Sequence, residues 1–422
     1  MNILIKQATI VDKNSPYNNS KKDILIKDGI ITSIKDKISE KADHEISHPD
    51  LHVSIGWFDF RANFQDPGYE FKEDLHSGME AAKKGGFTGV MLTSDTLPPV
   101  SNKSSVEYIV NKTKGNIVDV YPTGTVSHNL KGVDLSEMHD MKEAGAIAFS
   151  DSKQPVTDSG LMSRALLYAK NIDGFIMSFP LDKYLAGSAQ VNESKNTTLL
   201  GLKGISNLAE ELMVHRDLFL AKYHDTKIHI GPISCKESVE LIKRAKKDGI
   251  NVTCEVAIHN LIYTDEALND FDSNFKLMPP LRSEDDRQAL IQGLIDGTID
   301  VISSDHTPED TEHKDLEFDY ANYGSTSLET FFGALNTLTK DLIPLDFLLT
   351  KFTVNPRSIL QLDVPIVKEG FGANLTLFSI SEASIIYDVS KTISKSKNSA
   401  YNGCEITGKV IGVINNQQMA LN

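Results

Sequence analysis

Three carboxylates, Asp59, Asp151 and Asp305, stand at or near the ends of apolar, strand-like runs, in company with Arg61, Asn63 and His229. A carboxylate so placed can move a proton, and Asp305, in the segment SDHTP at 304–308, is the candidate for that work. Asp151 and Asp305 together could hold a lone cation, but two carboxylates without an imidazole make a weak, oxygen-only site. Arg61 argues against a metal, because a permanently charged guanidinium repels a divalent ion. The simpler expectation is structural. A buried carboxylate needs a partner, so Arg61 is expected to pair with Asp305, with Asp151 joining the same network.

The other reactive residue types carry less. His229 lies between Ile228 and Ile230 and reads as a core histidine with a backbone partner. His259 either lines the site or serves a capping or packing role, and His306 supports the loop after Asp305. Cys235 and Cys254 have no base nearby in sequence, so a nucleophilic thiol is not expected. Gly85-Gly86 is a helix-to-strand turn, and the glycine patterns that cradle phosphates are absent.

The elements that must position these residues can be read from periodicity. Strand signals fall at 55–60, 88–93, 118–126, 146–150, 175–179, 227–233, 251–255 and 301–305. Helical patterns lie between most of them, for example at 208–221, 237–248 and 287–296. Such alternation predicts an α/β fold, a (β/α)8 TIM-type barrel spanning 54–365. Short β-like runs crowd both ends, with a hairpin turn at Lys27-Asp28-Gly29. They predict a small β-sandwich domain formed by both termini, residues 1–53 plus 366–422.

Composition narrows the class. The chain has 422 residues, a net charge of −15 and no long basic stripe, which excludes nucleic-acid binding through a basic face. Lys391, Lys395 and Lys397 read as a solvated loop. Its 3 cysteines are far apart and argue for a reducing, cytoplasmic compartment. The first residues read as a strand, not a signal peptide, and no apolar run approaches the ~20 residues of a membrane span.

Several blocks, in order, resemble the dihydroorotase family of the amidohydrolase superfamily: DPGYEFKED at 66–74, GGFTGV at 85–90, AGAIAFSD at 144–151, LGLKGI at 200–205, PPLRSEDDR at 279–287, GTIDVISSDHTP at 297–308 and SKSKN at 394–398. The resemblance implies a barrel hydrolase of cyclic amides in pyrimidine biosynthesis. In active members zinc, held by histidines and carboxylates, activates water and polarises the ring carbonyl. Carried over position by position, the resemblance puts Arg61 and Asn63 where the first-strand histidines stand, Ser178 (or Phe179) at the fifth-strand histidine and Pro232 at the sixth-strand ligand. Asp151 and Asp305 keep the two carboxylates, the latter at the family's proton-shuttle position. The substrate-binding positions are altered as well, to Gln65, Asp95, Met278 and Glu309.

The resemblance then implies no zinc or other cofactor here and a catalytically inactive member acting as a scaffold or regulatory partner, for example of aspartate carbamoyltransferase, and forming a homo-oligomer, a dimer. The alternatives are an active cyclic amidohydrolase with a rebuilt site, or a regulatory protein using Arg61, Lys153 and Asp95 to hold a small molecule.

Overall fold

The computed structural model describes residues 1–422. Eight parallel strands form the barrel expected from the alternation: Trp57–Ala62, Phe87–Leu92, Asp119–Gly124, Ala148–Phe149, Ile176–Ser178, Ile228–Ile230, Val252–Ala257 and Val301–Ser303, each hydrogen-bonded to the next. The eighth meets the first through the bridge between Ala62 and His306. Asp59 closes the same seam from its side chain. Its carboxylate accepts the Ser304 amide at 2.8 Å and the Ser304 hydroxyl at 2.5 Å.

Period-2 alternation decides what fills the barrel. Phe58, Phe60, Met91, Ala148, Phe175, Met177 and Val301 form an apolar cluster inside it. Val252, Cys254 and Val256 of the seventh strand join the larger outer core, under the helices. Thr253, Glu255 and Ala257 therefore face the other way, into the barrel. The helices 208–221, 237–248 and 287–296 read from sequence are present as Leu208–His224, Lys236–Lys247 and Glu284–Ile295.

Strands from both chain ends make one further sheet. Its path runs Gln418–Leu421, Lys409–Asn415, Leu375–Ser379, His52–Ile55, Asn2–Ile10, Lys21–Lys27 and Ile30–Lys35, with His44–Ile46 also paired to Asn2–Ile10. A bulge between Ile5 and Ala8 marks where Asn2–Ile10 exchanges one parallel neighbour for the other. The turn at Asp28-Gly29 has both residues at positive φ, 47° and 79°, which matches a two-residue hairpin. Trp57, at the base of the barrel, packs against Phe87, Phe332 and Phe352 and against Phe378 of the terminal sheet, so one aromatic cluster joins sheet and barrel. No helix is long and apolar enough to cross a membrane.

Candidate functional site at the barrel mouth

The C-terminal ends of the barrel strands bring together Arg61, Lys153, His229, Glu255, His259 and Asp305, all buried or nearly so. Their pairing differs from the expectation. Arg61 binds Glu255, not Asp305. Its Nε donates to Glu255 Oε1 at 2.9 Å, and its Nη2 to the same oxygen at 2.5 Å and to the Gly231 carbonyl at 3.1 Å. Asp305 instead accepts from Lys153 Nζ at 2.9 Å. The reason is local geometry. The first strand shifts register between Asp59 and Ala62, which turns Arg61 across the barrel toward the seventh strand.

Gly231 makes the approach possible. A Cβ there would sit 2.5 Å from Glu255 Cγ, and its φ of 157° is one that side chains rarely adopt. Glu255 itself is fully buried, with relative exposure 0%. Burial pushes its carboxyl up, but Arg61 first and His229 next outweigh it and hold the group down at about 2. His229 does not find a backbone partner. Its Nδ1 lies 2.8 Å from the Thr253 hydroxyl, its Nε2 lies 3.8 Å from Glu255, and Phe60 and Phe175 flank the ring.

Asp151 stays outside this network. Its oxygens accept the Val126 and Ser127 amides, at 2.8 and 2.9 Å, and the Ser127 hydroxyl. Burial still raises its pKa, against those donors. Asp305 is raised by burial too, against Lys153 and Arg61, and it holds a left-handed φ of 52°. Gln65 and Ser152, at φ 60° and 53°, share that strain at the same rim.

The other residues singled out in the sequence make structural contacts. Asn63 accepts the Gln65 amide at 3.0 Å, and Gln65 Nε2 donates to the Pro308 carbonyl at 3.2 Å. Glu309 takes Lys72 at 2.8 Å and Asn322 at 3.0 Å. Ser178 points away from the mouth, because Met177 is the inward residue of that strand; its hydroxyl donates to Asp217 of the helix Leu208–His224 at 2.5 Å. Phe179, the alternative, shares Met177's parity. Pro232 follows Gly231 in the sixth-strand loop, and Met278 packs against the apolar cluster of Ala186, Ile205 and Ala209. His306 accepts the Ser327 amide at 3.1 Å, which ties down the eighth-strand loop.

Sequence reasoning missed Glu255. Its signal was available: a charge in the inward register of an otherwise apolar strand demands a counter-ion. Lys153 was seen, but not its partner. Several polar atoms at the mouth are buried without any hydrogen bond: Asp95 Oδ1, Asp305 Oδ1, Glu255 Oε2 and His259 Nε2. His259 is anchored through Nδ1 to Tyr401 at 3.0 Å, and burial, then Lys153, hold its pKa down at about 3, so the ring is neutral.

This donor set does not fit zinc. No three His, Cys, Asp or Glu side chains converge as ligands. A guanidinium fixed by a buried carboxylate and a carbonyl occupies the first-strand end instead. A dication about 4 Å from that charge would meet a repulsion of about 8 kcal/mol at an effective dielectric of ~20. Displacing the arginine would leave Glu255 buried and unpaired, at about 3–5 kcal/mol.

Comparison with known proteins agrees with the overall architecture. A family model described as Dihydro-orotase-like matches residues 52–238. The dihydroorotase of Acetivibrio thermocellus is 41% identical over 417 residues, covering 97% of this chain and 96% of that protein. That of Ruminiclostridium cellulolyticum is 40% identical over 412 residues, covering 97% and 96%. Among solved structures, L-hydantoinase from Arthrobacter aurescens superposes with a TM-score of 0.84 at 21% identity, over 100% of this chain and 96% of that one. Dihydropyrimidinase from Brevibacillus agri does so at 0.83 and 18%, over 100% and 95%. Likeness at that identity bears on the fold alone.

Proposed function

Because this chain belongs to the dihydroorotase family and carries an Arg61–Glu255 ion pair at the position of that family's first-strand histidines, we propose that it works by binding and not by zinc-dependent cyclic-amide hydrolysis. Its place is pyrimidine biosynthesis, as a non-catalytic scaffold or regulatory partner, and aspartate carbamoyltransferase is the partner to test. The buried ion pair carries this reading. It is incompatible with a dication at the same strand end, and the remaining carboxylates, Asp151 and Asp305, are each committed to other donors. Asp305 is then a positioning residue for the loop and not a proton shuttle.

The expected result for protein purified with added zinc is far less than one metal ion per chain, by mass spectrometry, and no dihydroorotate hydrolysis above background. Stoichiometric zinc, with turnover that Asp305→Asn abolishes, would restore the hydrolase reading. Sedimentation of the chain with aspartate carbamoyltransferase should show a complex; a chain that neither self-associates nor binds the transferase removes the scaffold role.

A second reading, a small-molecule site, is favoured by the unpartnered buried oxygens of Asp95 and Asp305. Buried polar atoms without partners are costly, and a ligand carrying N–H donors would satisfy the Asp95 and Asp305 oxygens. Asp95 stands where an active member binds its substrate's carboxylate, so an anionic ring is disfavoured there. A neutral cyclic amide such as dihydrouracil should raise the melting temperature more than dihydroorotate does, because binding to the native state alone stabilises it. Equal or absent shifts by thermal denaturation would count against a ligand of this class.

A further inference from the structure

Lys314, the last residue of the short helix Thr311–Lys314 beyond the eighth strand, is only 4% exposed. Its Nζ donates to two backbone carbonyls, Asn322 at 2.9 Å and Lys276 at 3.3 Å, and to no carboxylate. An ammonium has three N–H donors, so one position on this nitrogen is without a partner. Lysines are rarely buried unless paired. The neighbouring buried Lys276 is better accommodated. Its Nζ donates to the Phe318 and Asp319 carbonyls at 2.7 and 3.1 Å and lies over the Phe318 and Tyr323 rings at 5.4 and 5.3 Å.

Burial, ahead of every charge around it, brings Lys314 down to about 7; Glu309 and Asp272 act upward, Lys276 and Lys153 downward. At neutral pH about half of this amine carries a free lone pair, against roughly one part in a few thousand for an ordinary lysine. Lys314 also lines a cavity of about 220 Å³ that no hydrophobic side chain borders. The exposed Lys397 places a second amine on the same cavity, and Asn274, Thr311 and Asn398 make its wall polar. Of the carboxylates there, Glu309 is taken by Lys72 and Asn322, Asp272 accepts the Asn274 amide at 2.8 Å, and Asp315 is exposed to solvent.

A nucleophilic nitrogen, a separate cation and room for only a small molecule define what fits. We propose that this cavity captures a short-chain oxo acid, whose carbonyl carbon bonds to Lys314 Nζ and whose carboxylate pairs with Lys397. The nitrogen lone pair forms the C–N bond. The carbonyl oxygen takes up the two amine protons and leaves as water, and an imine remains. The step needs no other reactant, and it stands whether or not the barrel mouth turns over a cyclic amide.

Treating the full chain at pH 7 with glyoxylate and cyanoborohydride, which reduces the imine, tests this by peptide mass spectrometry. Lys314 should gain a carboxymethyl group at least about tenfold faster than any exposed lysine, and the labelling should saturate with glyoxylate. Lys314→Arg keeps the charge and the donors and should remove that label alone. Lys397→Ala, a change at the surface, should slow glyoxylate labelling of Lys314 by roughly threefold or more and leave labelling by neutral acetaldehyde unchanged. Lys314 no faster than the exposed lysines, a label that appears only in urea, or glyoxylate labelling indifferent to Lys397→Ala would each overturn the proposal.

Discussion

Arg61→Ala is expected to destabilise the protein by about 3–5 kcal/mol, the usual cost of stripping one partner from a buried ion pair. Glu255 has no exposure to solvent, and its Oε1 receives both short contacts from the guanidinium. Without Arg61 the nearest cationic candidate is His229, 3.8 Å away, and the Gly231 carbonyl loses its donor too. The carboxylate must then protonate or admit water. The double variant Arg61→Met/Glu255→Leu removes both charges and should cost less than either single change, since no charge is left stranded. Urea unfolding of the three variants measures this. A single-variant loss under about 1 kcal/mol would mean that the pair behaves as a solvated one. Restoring histidine at 61 and 63 alone should not bring zinc back, because the sixth-strand position holds Pro232 and Ser178 is turned to Asp217.

The barrel was legible because its signal is repeated. Eight apolar runs separated by amphipathic helices leave few other arrangements, and both sheet-forming ends are rich in alternating Ile and Leu. The unusual character of the mouth was legible too, since Arg61 and Asn63 are chemically wrong for a metal wherever they point. What failed was the pairing. A strand-end position tells which rim a residue occupies, but not which neighbour it reaches across a barrel. Charge alone pairs Arg61 with Asp305, and the register shift after Asp59 sends it to Glu255. Of the two fifth-strand candidates, Ser178 and Phe179, parity favours the second. Side chains alternate along a strand, so once Met177 faces inward Ser178 cannot. Counting parity from the apolar cluster would have found this. The resemblance makes Asp95 a substrate-position replacement, but that one of its oxygens is left without a partner depends on packing that no local pattern encodes.

The pH profile of stability should carry two buried carboxyls with opposite signs. Glu255 is held at about 2 against an ordinary 4.5, so the unfolded chain takes up its proton first as the pH falls. Its contribution, about 3 kcal/mol, is complete above pH ~4.5 and is lost as the pH drops through about 2. Asp59 runs the other way. Burial, only partly offset by the two Ser304 donors, pushes it from 3.8 to about 7. The folded chain keeps that proton longer than the unfolded one, so the contribution is complete below pH ~4 and is lost as the pH rises through about 7, by about 4 kcal/mol. Burial raises Asp151 and Asp305 in the same direction, so Asp59 accounts for part of that slope. Asp59→Asn keeps an oxygen for the Ser304 amide and should flatten the fall in stability between about pH 4 and 7. Glu255→Gln, whatever its absolute stability, should flatten the acid limb and leave the neutral slope unchanged. Melting temperatures recorded from pH 3 to 8 distinguish these outcomes. If Asp59→Asn leaves the neutral slope as steep as wild type, Asp59 is not raised by burial in the folded chain, and a carboxylate holds the seam between the first and eighth strands at neutral pH.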